Sequence, residues 1–156
     1  MAIRLFQFVA RHGMRLALDT LVQRAAERRG RAIAVLGDML ELGPEAERYH
    51  REVGRYAAEV GVSGLWAYGT LSQAMIEGFW RGLDRSSSFG SDFSNISGES
   101  GEFMRMASPL ADLETEVATL KANLRPGDTI LVKGSRGMRL ERVVAQLVGA
   151  DAGAGN

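Results

Sequence analysis

Three times in this chain of 156 residues a short apolar run ends in a glycine loop and gives way to a helical repeat, and few folds accept that alternation. Arg31-Ala-Ile-Ala-Val-Leu36 closes at Gly37-Asp38, Gly64-Leu-Trp-Ala-Tyr68 closes at Gly69-Thr70, and Thr129-Ile-Leu-Val132 closes at Lys133-Gly134. Runs without polar alternation suit strands covered on both faces, as in a parallel sheet. The spacing predicts helices between them. Leu16, Leu18, Leu21, Val22 and Ala25 share an apolar face that stops at Gly30, and Pro44 opens a helix carrying Ala46, Tyr49, Val53, Ala57 and Val60 inward to Gly61. Leu71, Met75, Ile76 and Phe79 mark a third helix ending near Gly82. Ser108-Pro109 reads as an N-cap and first-turn pair for a fourth, with Leu110, Leu113, Val117, Leu120 and Leu124. Leu140, Val143, Val144, Leu147 and Val148 mark the last.

Strands near 3–8, 31–36, 64–68, 88–90 and 129–132 therefore alternate with helices, which predicts a three-layer α/β/α domain with a mostly parallel sheet. One domain is expected over 1–149. Residues 86–107, rich in serine and glycine, read as an irregular loop, and 150–156 as a disordered tail. The hydrophobic content of 46% suffices for a core, and 19 basic against 19 acidic residues give no push toward nucleic acid or an anionic membrane. Without cysteine there are no disulfides or thiolate metal sites. No apolar run nears the roughly 18 residues of a membrane span. A cytoplasmic protein is the expectation.

In such sheets ligands gather beyond the carboxyl ends of the strands, so the loops 37–43, 69–70 and 133–137 should converge there. The last is the richest. Gly134 and Gly137 bracket Ser135 and Arg136, and with Lys133 these supply two cations and a hydroxyl ahead of a helix whose N-terminal N–H groups favour anions. A glycine turn from strand to helix also arises merely because the chain must reverse, and neither G-x-x-x-x-G-K-[ST] nor G-x-G-x-x-G occurs in the sequence. His50, on the border of an apolar helix face, reads first as a half-buried packing residue.

Two strings carry a resemblance. Ala34-Val-Leu-Gly-Asp-Met-Leu-Glu-Leu-Gly43, followed by Glu47 and His50-Arg-Glu-Val-Gly54, and Pro126-Gly-Asp-Thr-Ile-Leu-Val-Lys-Gly-Ser-Arg-Gly-Met-Arg-Leu-Glu141 resemble the C-terminal domain of the Mur ligases of MurF type. The likeness runs from about Met14 to Val148. It implies a Rossmann-like sheet of about six strands with the first antiparallel, and a domain that closes over ATP and places an incoming D-alanyl-D-alanine amine for attack on an acyl phosphate. In that family the product forms on UDP-N-acetylmuramoyl-tripeptide, with ATP and Mg held by a central domain and the UDP-sugar by an N-terminal one. The residues that carry over as facing substrate or nucleotide are Asp38, Met39, Glu41, Leu42, His50, Lys133, Gly134, Ser135 and Arg136, with Glu141 just beyond. A dipeptide carboxylate suits Lys133 and Arg136, and Asp38 suits an ammonium group or a water.

The sequence departs from the family in two places. Phe8-Val-Ala-Arg-His-Gly13 stands where a Tyr-Asn-Ala-Asn-Pro type motif is usual, and the ATP phosphate loop is not among these residues. The expectation is an inactive lid domain that needs its N-terminal and central partner domains, binds no cofactor alone, and touches neither nucleic acid nor membrane. The alternative is a free-standing α/β module that binds another anion or a protein, using Phe89, Phe93 and Phe103 as an exposed patch.

Overall fold

The computed structural model describes residues 4–7, 13–39, 42–86, 106–110, 113–135 and 138–151. Among the described residues five strands form one sheet: β1 (Arg4–Gln7), β2 (Ala32–Gly37), β3 (Gly64–Tyr68), β4 (Met106–Leu110) and β5 (Thr129–Lys133), in the order β1-β5-β2-β3-β4. Five helices connect and cover them: α1 (Met14–Glu27), α2 (Ala46–Val60), α3 (Ser72–Ser86), α4 (Leu113–Asn123) and α5 (Glu141–Asp151). Every strand pairing is parallel.

The central strands show why their sequences carry no polar alternation. Ala32, Ala34 and Leu36 of β2, Leu65 and Ala67 of β3, and Leu131 of β5 face α1, α2 and α3. Ile33, Val35, Trp66, Ile130 and Val132 face α4 and α5. The side-chain period of two is present, but both faces are buried, so it is silent in the sequence. The first face mixes alanines with leucines, whereas the second carries larger side chains throughout.

Four expectations are corrected. The first strand is not antiparallel: β1 runs parallel to β5, with Arg4 opposite Thr129, because one helix returns the chain to the edge it left and the next strand must run the same way. Ser108-Pro109 does not open a helix. It lies inside β4, an edge strand where a residue lacking an N–H costs no ladder bond on its open side, and α4 begins at Leu113. Gly149 does not end the fold either: α5 runs through Ala150 to Asp151, since one glycine costs a helix only about 1 kcal/mol. Leu16 and Tyr49, expected inward, are exposed, and Met14, Ala17 and His50 take the buried positions. The strand expected at 88–90 and the patch of Phe89, Phe93 and Phe103 lie outside the described residues.

Candidate functional site

The path of the chain singles out one crevice. After β2 it leaves toward α2 on the first face, whereas after β5 it leaves toward α5 on the second. Adjacent strands whose connections diverge to opposite faces open a cleft at their carboxyl ends, and ligands bind there in open α/β sheets. Here the two strands are in register, with Leu36 opposite Lys133, and the residues that follow this pair, Gly37 and Gly134, nearly touch. A Cβ built on Gly134 would stand 2.7 Å from Leu140 Cδ1 and 3.0 Å from the Cα of Gly37. Neither glycine has room for a side chain.

Asp38 lies just past this contact, 3% exposed, and joins all three loops. Its N–H donates to the Tyr68 carbonyl at the end of β3 (3.1 Å), and its own carbonyl accepts the Ser135 N–H beyond β5 (3.1 Å). The carboxylate accepts the Thr70 hydroxyl (3.0 Å) and the Leu71 N–H (3.1 Å), at the N-terminal end of α3, where a negative charge is favoured. Gly69 has φ +122°, and a Cβ there would overlap the Asp38 carboxylate. The loops 37–39, 69–71 and 134–135 thus meet through one aspartate.

His50 is wholly buried on α2. Its Nε2 accepts the Met39 N–H at 2.9 Å, so the proton sits on Nδ1, which donates to the Ala46 carbonyl at 2.6 Å. The imidazole holds the residue after Asp38 onto α2, with both nitrogens engaged. Met39 packs its side chain against the first core, and Leu42 is 37% exposed beside the 3-10 turn Gly43–Glu45.

Lys133 ends β5 with 9% exposure, and among the described residues no carboxylate pairs with it. Burial lowers its ammonium below the usual lysine range. Gly134 and Ser135 are half-buried; the Ser135 N–H is spent on Asp38, and its carbonyl accepts the Met138 N–H at 2.9 Å. The first turn of α5 starts only at Glu141, so its N–H groups lie further along the chain than Lys133 and Ser135. Of the expected site residues, Asp38, Met39, Lys133, Gly134 and Ser135 come together around the crevice. His50 stands behind it, Leu42 lies at the rim, and Glu41 and Arg136 are outside the described residues.

Sequence reasoning missed Thr70 and Leu71 as partners of Asp38; the available signal was that Gly69-Thr70 ends the strand next to β2. Asp128 is 2% exposed and takes a two-pronged grip from Arg31, 3.0 Å to Nε and 2.7 Å to Nη2, at the opposite end of β2 and β5. This pair has no part in the crevice.

The sequence profile described as Mur ligase, glutamate ligase domain matches residues 10–136, and the chain belongs to this family. It is 35% identical to the UDP-N-acetylmuramoyl-tripeptide--D-alanyl-D-alanine ligase of Mycobacterium tuberculosis H37Rv, over 88% of this chain and 26% of that protein. The ligase of the same name from Bacillus subtilis is 30% identical, over 76% of this chain and 22% of the relative. Among solved structures, MurF from Acinetobacter baumannii superposes with a TM-score of 0.62 at 22% identity, covering 86% of this chain and 24% of that one. Thermotoga maritima MurF, crystallised with ADP, gives 0.53 at 21%, covering 83% and 24%. The chain spans about a quarter of the length of these relatives.

Proposed function

We propose that this chain forms the C-terminal closing domain of an ATP-dependent ligase that adds D-alanyl-D-alanine to UDP-N-acetylmuramoyl-tripeptide in peptidoglycan synthesis, acting in the cytoplasm. The observation that carries this reading is Lys133, a largely buried cation at the switch-point crevice for which the described residues supply no counter-charge. A peptide carboxylate answers it: a charge-assisted hydrogen bond would offset the desolvation of the ammonium. With the carboxylate fixed at Lys133, the dipeptide amine is oriented by the crevice rather than free to tumble, and such positioning lowers the barrier to attack. Arg136, carried over from the family string, is proposed as a second carboxylate contact.

ATP and Mg would supply the acyl phosphate from the other domains of such a ligase. Residues of this chain do not fit that task. The sequence has no G-x-x-x-x-G-K-[ST] loop, and among the described residues no three of His, Cys, Asp or Glu cluster to hold a metal. The chain alone is therefore proposed to be inactive. Met39, Leu42 and Glu41, carried over from the family string, are proposed to lie toward the nucleotide, as the part of the rim that meets the central domain on closure.

Titrating D-alanyl-D-alanine into the isotope-labelled chain tests this. The amide signals of Lys133, Gly134 and Ser135 should shift with a Kd of about 1 mM or weaker, and Lys133→Met should abolish the shift. Absence of any shift at these amides, sub-micromolar affinity, or ATP hydrolysis by the chain alone would each contradict the proposal.

A further inference from the structure

We infer that Asp38 is a positioning residue: it fastens the loops after β2, β3 and β5 into one platform, and it does so without its charge touching the ligand. The inference rests on the preceding reading only for the ligand, since the fastening itself is judged without one.

Four bonds converge on Asp38 and lead to three places. The Tyr68 carbonyl fixes it to β3, the Leu71 N–H and Thr70 hydroxyl fix its carboxylate to the start of α3, and its carbonyl fixes Ser135 beside Lys133. The carboxylate is buried, with one donor on each oxygen, and stands where a side chain on residue 69 would be. A group that receives an ammonium or a water needs an exposed oxygen. This one is turned toward α3, away from the surface. His50 supports the platform from behind by accepting the Met39 N–H.

The geometry separates positioning from contact through one substitution. In Asp38→Asn the amide oxygen still accepts the Leu71 N–H, while the new NH2 donates to the Thr70 hydroxyl, which rotates to accept. The fastening survives and the charge does not. Asp38→Ala removes both bonds.

The test is amide hydrogen exchange at Ser135, read against Ile33 and Ile130 in the sheet as internal references, combined with the D-alanyl-D-alanine titration. The Ser135 N–H donates to the carbonyl of Asp38 and not to its carboxylate, so a change in its exchange has been transmitted through the Asp38 backbone. Asp38→Ala should speed Ser135 exchange by roughly tenfold or more and weaken the titration, and Asp38→Asn should restore both to within roughly threefold of the natural chain. Should Asp38→Ala fail to fold, Thr70→Val, which removes one donor from a surface residue, should raise Ser135 exchange by roughly three- to tenfold with the references unchanged. Unchanged Ser135 exchange in Asp38→Ala, or in Thr70→Val, would overturn the fastening. Protected Ser135 with binding lost in Asp38→Asn would make Asp38 a ligand contact and overturn the positioning role. If the natural chain shows no shift with the dipeptide, the proposed function fails, and the exchange series alone still decides whether Asp38 couples the loops.

Discussion

Lys133 shows how one side chain links stability to binding. Its folded-state pKa is lowered by burial from the usual 10.5, so the fold disfavours the charged form. The penalty is fully present below the folded value and fades as pH rises toward 10.5; stability from this group therefore increases with pH across that window. Lys133→Met should remove the penalty, raising the denaturant midpoint at neutral pH and flattening its rise toward high pH. A midpoint that falls in the variant at neutral pH would show the ammonium to be satisfied in the fold. Binding of a carboxylate runs the other way: it favours the charged form and should weaken once pH passes the lowered pKa. His50 behaves differently. His50→Ala leaves the Met39 N–H without its acceptor inside a packed site and opens a cavity, for an expected loss of about 2–4 kcal/mol in urea unfolding. Asp38, Lys133 and Ser135 were legible in the sequence as a loop pair of the right chemistry. The direction of the Asp38 carboxylate, toward α3, was not, because it depends on a residue 33 positions away.

Among the elements, α2 and α3 form the closest pair. Gly54 of α2 faces the Met75 carbonyl, and Gly78 and Gly82 of α3 face the backbone of Arg51 and Arg55, with no space at any of the three for a methyl group. Gly78→Ala should push the helices apart and cost about 1–3 kcal/mol in thermal or denaturant unfolding, because backbone, not a flexible side-chain tip, stands in the way. Gly149→Ala is the control. Nothing lies within 4 Å of a Cβ there, the residue is helical and exposed, and the variant should be more stable by about 0.5–1 kcal/mol. The sequence reading took Gly149 as the end of the domain and gave Gly78 no meaning. A helix propensity cannot tell a glycine that admits a neighbouring backbone from one that faces water. The same blindness produced the false helix start at Ser108-Pro109: proline at a first turn and proline in an edge strand satisfy the same local constraint on the missing N–H, and only the neighbour β3 distinguishes them.

For the whole molecule, the two central strands are fastened at both ends by different means. At the carboxyl ends Gly37 and Gly134 touch and Asp38 bridges; at the amino ends Arg31 grips Asp128, and its Nη2 also donates to the Asn123 carbonyl at 2.7 Å. Asp128 further accepts the Arg125 N–H at 2.7 Å, so the turn into β5 and the entry to β2 share one buried ion pair. Asp128→Ala would leave Arg31 largely buried without its partner, and a loss of about 3–5 kcal/mol is expected in equilibrium unfolding, with the D-alanyl-D-alanine shifts of the folded fraction unchanged. Loss of binding in the folded fraction would mean that the two ends of the sheet are coupled.

By itself the sequence determined the class of fold, the central strands, the helices between them, and the edge of the sheet where a site belongs. Each of these follows from local composition: apolar runs that only a doubly covered strand can bury, and glycines where the chain must turn. Two long strings also carried the family. Tertiary structure alone decided the strand order, the parallel first strand, which glycines are packing contacts, and the joining of Asp38 to β3, α3 and the Lys133 loop. Those are contacts between residues distant in the chain, set by which strands lie side by side, and no local pattern of residues encodes that choice.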